Sequence, residues 1–157
     1  MSNVVLVTGG FDPIHKGHIE YFKEAKLLGD KLIVGLNSDH WLTRKKGKPF
    51  MDLENRAMVI QSLNMVDEVI IFNDEDNTSC HAIHQALQFY DEVIFANGGD
   101  RLISNIPEYE KYSNDERVKF VCNVGGDKTE SSSWLLDKWK SPKTLRKWGY
   151  YKDLYLG

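Results

Sequence analysis

The chain has 157 residues, of which 41% are hydrophobic and 27% are charged, and its net charge is −3. This size and balance are typical of one globular domain and exclude an intrinsically disordered chain. A weakly acidic chain has no general attraction for nucleic acid or for an anionic membrane, so neither is expected as a partner.

Two further features of the composition narrow the class of protein. No apolar run approaches the roughly 20 residues that span a bilayer. Cys80 and Cys122 are the only cysteines, and their separation is not that of a metal-ligand pair. We therefore expect a protein of the reducing cytoplasm, and the cysteines give no indication of a metal site.

The periodicity of apolar residues predicts alternating strands and helices. The first strand is the continuous apolar run "NVVLVT" (Asn3–Thr8), which two glycines end. A helix of apolar residues at helical spacing follows and is expected to end at Gly29. The other predicted strands are Lys31–Leu36, Glu68–Phe72, Glu92–Ala96 and Arg117–Cys122, and the other predicted helices are Asp52–Leu63, Cys80–Phe89 and Ser132–Trp139.

This alternation predicts a Rossmann-like α/β fold with three layers, α/β/α, around a five-stranded and mostly parallel sheet. We expect one domain over residues 1–141 and a C-terminal tail over residues 142–157. Ligands of such sheets bind beyond the carboxyl ends of the strands. Four polar loops are expected at that edge: Gly9–His18, Asn37–Phe50, Asn97–Arg101 and Gly125–Ser133.

The loop after the first strand, "GGFDPIHKGH", has the features of a phosphate site. Gly9 and Gly10 let a ligand approach the backbone, and the next helix would direct its free N–H groups at the same space. His15 and His18 lie three residues apart. A helical turn would place their Cβ atoms about 5–6 Å apart on one face, where both rings can donate to one phosphate. A metal-binding pair or two surface histidines are the alternatives, and the position after two glycines disfavours them.

Other polar residues could complete this site, although the residues alone leave each open to a simpler explanation. The run "RKKGK" (44–48) could be a solvated basic loop. The triple serine 131–133 opens the last helix, where one hydroxyl is accounted for by capping and three also suit phosphates. Asp12 and Asp100 are the nearest carboxylates, of which the first could orient the turn and the second could hold a ribose or an acceptor.

Neither common nucleotide-binding fingerprint is present. The two glycines are followed by "FDPI", which does not fit the dinucleotide pattern GxGxxG, and the Walker pattern GxxxxGKS/T is also missing. These observations argue against a nicotinamide or flavin dehydrogenase and against the common ATPase design.

The stretch "GGFDPIHKGHIEYF" resembles the HxGH signature of the cytidylyltransferase-like nucleotidyltransferases. Lys128 stands where the second signature of this family usually has arginine, and its spacing to the serines is shorter than in the RTEGIST pattern. The similarity covers residues 1 to about 140 and extends through "AKLLGDKLIVGLNSD" (25–39), "RKKGKPFMDLENRAMVIQSLNMVDEVI" (44–70), "ANGGD" (96–100) and "KTESSSWLL" (128–136).

The resemblance implies an enzyme that joins a nucleoside triphosphate to a small phosphorylated acceptor and releases pyrophosphate. It also implies Mg²⁺ held mostly by phosphate oxygens, and a homodimer. Arg56 is expected on the exposed side of its helix. The implied roles are catalysis for His15, His18, Lys46 and Lys128, nucleotide binding for Gly9, Gly10, Phe11, Asp12, Ser131, Ser132 and Ser133, and substrate binding for Arg56, Asp100 and Lys48.

Three functional hypotheses remain at this point. The first is transfer of CMP from CTP to a phosphorylated alcohol such as a polyol phosphate. The second is an adenylyltransferase that uses ATP and a sugar 1-phosphate, and the third is a nucleotide-binding protein without catalysis. The sequence does not identify the nucleobase.

Overall fold

The computed structural model describes residues 2–99, 102–126 and 130–140. Its strands are β1 (Asn3–Gly9), β2 (Lys31–Leu36), β3 (Glu68–Ile71), β4 (Glu92–Ala96) and β5 (Val118–Val121). They form one five-stranded sheet in the order β3-β2-β1-β4-β5, and every neighbouring pair is parallel. The predicted α/β fold class and its five strands are thereby confirmed.

Helices cover both faces of the sheet. The helices are α1 (Lys16–Lys26), α2 (Asp39–Lys46), α3 (Leu53–Gln61), α4 (Cys80–Leu87), α5 (Pro107–Tyr112) and α6 (Ser132–Lys140), with a short 3-10 turn at Ile103–Asn105. Within the described ranges, no helix has the length and apolar character needed to cross a membrane.

The central strand β1 is buried on both faces, as its continuous apolar run predicts. Val4 and Leu6 point into the core that contains α4 and α5, whereas Val5 and Val7 point into the core that contains α1 and α3. All four side chains have 0% exposure. Burial of each contributes about 1.5–3 kcal/mol, so this strand fixes the centre of the sheet and the place where its loop emerges.

Two helices were missed by the sequence prediction. The segment after β2 was expected to be a loop, but α2 forms there because the Ser38 hydroxyl accepts from the backbone N–H of Trp41 (3.0 Å) and Gly47 ends the helix at φ 93°. Helix α5 begins with Pro107, a residue favoured in the first turn. Both helices contribute residues to the cavity described below.

The end of α1 also differs from the prediction. The helix stops at Lys26, before Gly29, and Leu28 is 37% exposed. A Cβ at Gly29 would lie 2.8 Å from the side chain of Asn3. This glycine is therefore explained by close packing against β1.

The strand order places a crevice between β1 and β4. From β1 the chain builds outward through β2 and β3, and it then crosses to the other side of β1 to form β4 and β5. The loops that leave β1 and β4 therefore diverge, which is the place where open α/β sheets bind ligands.

Candidate active site

A cavity of about 760 Å³ lies at the carboxyl ends of β1 and β4. Lys128 and Asp100 lie outside the described residues. Lys48 is exposed and is not among the described residues that line this cavity. The cavity brings together most of the predicted site residues, namely Gly9, Gly10, Phe11, Asp12, His15, His18, Lys46, Ser131, Ser132 and Ser133.

The two histidines form a reciprocal cap at the start of α1. His15 is the N-cap residue, and its Nδ1 accepts from the backbone N–H of Gly17 at 3.1 Å. The Nδ1 of His18 accepts from the backbone N–H of His15 at 3.2 Å. The rings are stacked, with centroids 3.7 Å apart and planes 25° apart. Local backbone bonds therefore hold both imidazoles side by side at the N-terminus of the helix.

These bonds also assign the tautomer of each ring. A neutral imidazole whose Nδ1 accepts a hydrogen bond must carry its proton on Nε2. Burial, the neighbouring His15 and the charge of Lys46 lower the pKa of His18 from 6.5 to about 3. His18 is therefore a neutral Nε2–H donor near pH 7.

The glycines of the loop leave room for neighbouring side chains that would otherwise have to shift. A Cβ at Gly17 would lie 2.9 Å from Cε1 of His15. At Gly9 it would lie 2.9 Å from the ring of Phe11, and at Gly10 it would lie 2.7 Å from a methyl group of Leu42. The sequence suggests that Gly9 and Gly10 allow a phosphate to approach the backbone closely. The contacts around each Cβ position add a steric reason for glycine there.

Phe11 packs against the ring of His18. It adopts φ 51°, and its ring is 6% exposed. Its ring makes T-shaped contacts with the rings of His18 and Phe22, each at a centroid distance of 5.0 Å. Through these contacts the position of His18 is coupled to the hydrophobic core.

Asp12 organises the loop that follows α2. Its carboxylate accepts from the backbone N–H groups of Phe50 and Met51, both at 2.6 Å. Lys46 donates to the backbone oxygen of Asp12 at 2.5 Å, and its Nζ lies 3.7 Å from the carboxylate. Asp12 therefore holds one predicted phosphate-binding lysine at the rim of the cavity.

Arg56 is not on the exposed side of its helix, and this part of the sequence prediction is wrong. Its side chain has 0% exposure, and its guanidinium lies in the wall behind the cavity rather than among the lining residues. It donates to the carboxylate of Asp39 at 2.7 Å and to three backbone oxygens, those of Gly10, Asn37 and Met51, at 2.8 to 3.0 Å. The arginine thus ties the loops after β1 and β2 to the start of α3.

The start of α6 lies beside the start of α1. Ser132 Oγ donates to the backbone oxygen of Pro13 at 2.7 Å. The backbone oxygen of Glu130 lies 3.7 Å from a Cβ placed at Gly17. Two helix N-termini, each with a positive dipole end, therefore face one cavity, which is an arrangement suited to a polyanion.

Several lining residues were not singled out from the sequence. Tyr21 donates its hydroxyl to the backbone oxygen of Ala96 at 2.5 Å. Trp41 lies on the unpredicted helix α2, with the ammonium of Lys45 at 4.7 Å from its ring centre. The Lys45 ammonium is thus stacked on Trp41 at the cavity.

Two further lining residues lie on the β4 side of the cavity. Within the described part of the chain, the buried amide nitrogen of Asn97 has no hydrogen-bond partner. Glu108 on α5 is only 6% exposed. A polar residue directly after a strand was a usable signal for Asn97, whereas nothing local marks Glu108.

Comparison with known proteins identifies the family. The model of the family described as cytidylyltransferase-like matches residues 6–147. The "Bifunctional protein HldE" of Helicobacter pylori is 37% identical over 141 residues, which are 88% of this chain and 28% of that protein. The chain thus spans less than a third of the length of this curated relative.

Two solved structures share the fold. A crystal structure of the lipopolysaccharide core biosynthesis protein of Thermoplasma volcanium is 30% identical, with a TM-score of 0.61 over 78% of this chain and 96% of that one. A putative nicotinate-nucleotide adenylyltransferase of Vibrio parahaemolyticus has a TM-score of 0.60 over 87% of this chain and 86% of its own, and at 14% identity it shows the fold alone. The chain belongs to the cytidylyltransferase-like family of nucleotidyltransferases.

Proposed function

We propose that this protein transfers a nucleotidyl group, CMP from CTP in the first instance, to a small phosphorylated alcohol or sugar and releases pyrophosphate. The observation that carries the proposal is the stacked pair His15 and His18, whose geometry favours Nε2–H donors at the N-terminus of α1. Lys46 and the start of α6 line the same cavity.

The transfer needs no covalent intermediate with the enzyme. A phosphate oxygen of the acceptor forms a bond to the α-phosphorus of the triphosphate, and the bond from that phosphorus to the bridging oxygen of the β-phosphate breaks. The electron pair leaves with pyrophosphate. Catalysis of such a step consists of positioning the reactants and stabilising the charge that develops on the phosphate oxygens.

The histidines supply this stabilisation as hydrogen-bond donors. Because the pKa of His18 is lowered to about 3, its ring is uncharged in the free protein near neutral pH. A bound triphosphate brings negative charge next to the ring and therefore raises this pKa again. The ring can then donate more strongly as charge develops, while Lys46 adds a fixed positive charge.

A divalent cation fits the proposal as a companion of the triphosphate. Among the described residues, no group of three or more histidine, cysteine or acidic side chains is arranged to hold a metal ion. Mg²⁺ would therefore be bound chiefly through phosphate oxygens, where it neutralises part of their charge. Asp12 is directed at backbone N–H groups and Lys46, so it is not proposed as a ligand.

The second candidate is adenylyl transfer from ATP to a sugar 1-phosphate. The 30% identity with a protein named for lipopolysaccharide core biosynthesis favours a sugar-linked acceptor. The segments "LNSD" and "GKP", which resemble those of ADP-heptose-type adenylyltransferases, favour the same alternative. We further propose that the protein is cytoplasmic, since the reaction draws on cytoplasmic nucleoside triphosphates, and that it forms a homodimer, as the family resemblance implies.

Release of pyrophosphate tests the proposal directly. The purified protein is assayed with each of the four nucleoside triphosphates, Mg²⁺ and a panel of phosphorylated acceptors that contains glycerol 3-phosphate and mannose 1-phosphate. We expect turnover with CTP, and turnover only with ATP and the sugar phosphate would select the second candidate. Tight triphosphate binding without turnover on any acceptor would contradict the proposed reaction and favour a non-catalytic nucleotide-binding protein.

A further inference from the structure

Two asparagines hold matching places on the strands that flank β1. Asn37 directly follows β2, and Asn97 directly follows β4. Both residues line the cavity. The backbone N–H of Asn37 donates to the backbone oxygen of Gly9 at 2.9 Å, and that of Asn97 donates to the backbone oxygen of Val121 at 2.8 Å. The main chain is therefore fixed at both positions.

The side-chain amides of these two residues differ in their partners. Nδ2 of Asn37 donates to the carboxylate of Asp74 at 3.1 Å. Nδ2 of Asn97 is buried and has no hydrogen-bond partner in the described part of the chain. A buried donor without an acceptor costs free energy, because its hydrogen bonds to water are lost and not replaced. The fold thus holds an unused donor at the end of β4.

This donor lies across the crevice from the loop that carries the histidine pair. Pairing between β1 and β4 ends at Leu6 and Phe95. Thr8 and Asn97 each come two residues later, so they face one another where the strands diverge, at a strand spacing of about 5 Å. The two glycines of the phosphate loop follow Thr8 directly. Asn97 is therefore placed to reach the reacting phosphates from the β4 side.

Rotation of the amide brings its nitrogen into the cavity. Asn97 as a whole is part-buried and lines the cavity, although its nitrogen is buried. The torsion about the Cβ–Cγ bond of asparagine is soft, because it joins an sp³ and an sp² carbon. Turning this amide toward a ligand breaks no hydrogen bond of Nδ2 to a described residue, whereas the amide of Asn37 would have to leave Asp74.

A phosphate oxygen suits this donor. An N–H bond to a charged oxygen is roughly twice as strong as a bond between neutral groups, so it offsets the rotation of the side chain. The NH₂ group has two donors. Two phosphate groups meet in the proposed transfer, that of the triphosphate and that of the acceptor, and either can supply the oxygen.

We propose that Asn97 binds substrate, with Nδ2 donating to a phosphate oxygen next to the reacting phosphorus. The inference rests on the proposed transfer reaction and adds a donor from the β4 side to the two imidazoles at α1. Because this donor is unpaired in the free protein, it strengthens binding and lowers the stability of the unliganded fold.

Asn97→Leu and Asn97→Asp test this role with the substrates that give turnover, and Asn114→Asp, at an exposed position in the turn after α5, is the control. Leucine has a similar shape and no donor. Loss of a hydrogen bond to a charged group predicts a fall of about 10- to 100-fold in kcat/KM per folded protein for Asn97→Leu. Asn97→Asp should lose more, because its carboxylate repels phosphate, and the control should match the wild type.

The kinetic constants identify which phosphate supplies the oxygen. A raised KM for the triphosphate assigns the contact to the triphosphate, and a raised KM for the acceptor at saturating triphosphate assigns it to the acceptor. A fall in kcat alone assigns it to the transition state, in which the two meet. Higher kcat/KM in Asn97→Asp than in Asn97→Leu would overturn the proposal, because the ligand group would then be a donor such as a hydroxyl.

Thermal unfolding distinguishes this role from a structural one. Asn97→Leu should keep or raise the melting temperature, since it removes a buried donor that has no described partner. Asn37→Leu, the matched change at the paired amide, should lower it, because Asp74 loses a donor. Unchanged kcat/KM per folded protein in Asn97→Leu would overturn the proposal whatever the melting temperature.

Direct binding separates this inference from the proposed reaction. If the wild-type protein releases no pyrophosphate with any pair of substrates, the transfer reaction is refuted. Calorimetry of the wild type and Asn97→Leu with CTP, ATP and glycerol 3-phosphate then tests the donor alone. Weaker binding of any of these ligands by the variant supports the role of Asn97. Equal affinities, or no binding of any of them by the wild type, would overturn it.

Discussion

The two sides of the loop between β1 and α1 use polar side chains in opposite ways. On the cavity side, His15 and His18 each accept a backbone bond through Nδ1, and that bond orients the ring. On the rear side, Arg56 makes four hydrogen bonds to groups of the protein itself. The first arrangement prepares donors for a ligand, whereas the second fixes the loop that presents them.

This contrast shows that a charged residue next to an active site need not touch the substrate. Lys46 was expected to act in catalysis and Arg56 in substrate binding, yet only Lys46 is among the residues that line the cavity. Changes on the rear side should therefore lower stability, and changes on the cavity side should lower turnover with the fold intact.

The largest effect on stability is expected for Arg56→Met. The substitution leaves the backbone oxygens of Gly10, Asn37 and Met51 without their donor, and it removes the partner of Asp39. Each buried acceptor that loses its donor costs about 1–3 kcal/mol, whereas Asp39, whose side chain is 40% exposed, can be hydrated instead. The free energy of unfolding in urea measures this loss, and Met58→Gln, at a 66% exposed position of the same helix, is the control. Unchanged stability with weaker triphosphate binding would show that Arg56 binds the ligand instead.

Changes to the histidine pair should lower turnover and have only a small effect on stability. His18→Ala and His15→Asn are each expected to lower kcat by about 10²–10³-fold, the scale for loss of one donor to a developing oxyanion, or about 2.7–4 kcal/mol. Asparagine is chosen at position 15 because His15 is the N-cap of α1 and asparagine is a good cap. Stability should fall by no more than about 1–2 kcal/mol, the scale of one lost helix-capping bond.

Single-turnover pyrophosphate release and urea unfolding, measured on the same samples, decide this prediction. His84→Gln replaces an exposed histidine on α4 and should change neither quantity. If activity falls in parallel with the fraction of folded protein, the histidines stabilise the fold, as Arg56 does, and do not act in catalysis.

The features that could be predicted from the sequence are the local ones. The glycines after β1 and the histidine pair lie within a few residues of one another, so the local turn at the start of α1 brings the rings together, although His15 is its extended N-cap residue and not part of the predicted helical turn. The strands were predictable because the sheet is parallel and buried on both faces, which gives continuous apolar runs. The reciprocal capping by the two imidazoles could not be read from the sequence, because a ring rotation decides it.

The features that were missed depend on contacts between distant segments. Arg56 lies four residues before the buried Ile60, so helical spacing does place it on the inner face. The positive charge of Arg56 favoured an exposed position. The guanidinium can be buried only because backbone oxygens of two distant loops accept its hydrogen bonds. The placement of Lys46 at the cavity depends likewise on Asp12, which lies far earlier in the chain.

The smallest expected effect is the contribution of His18 to the pH dependence of stability. Its pKa is 6.5 in an ordinary setting and about 3 in the folded protein. Below pH 6.5 the unfolded chain therefore binds a proton that the folded protein does not, so stability falls as the pH is lowered toward 3. The slope approaches about 1.4 kcal/mol per pH unit.

His18→Asn removes this proton uptake and should flatten the dependence, while the carboxylates act equally in both proteins. Urea unfolding at pH 7, 6 and 5 measures the difference, and parallel curves for the two proteins would contradict the lowered pKa. Saturating CTP or ATP supplies the final discrimination. If the triphosphate lies against His18, its negative charge raises the pKa of the ring. The slope of wild-type stability against pH should then become smaller when the triphosphate is bound. A triphosphate bound elsewhere would leave this slope unchanged.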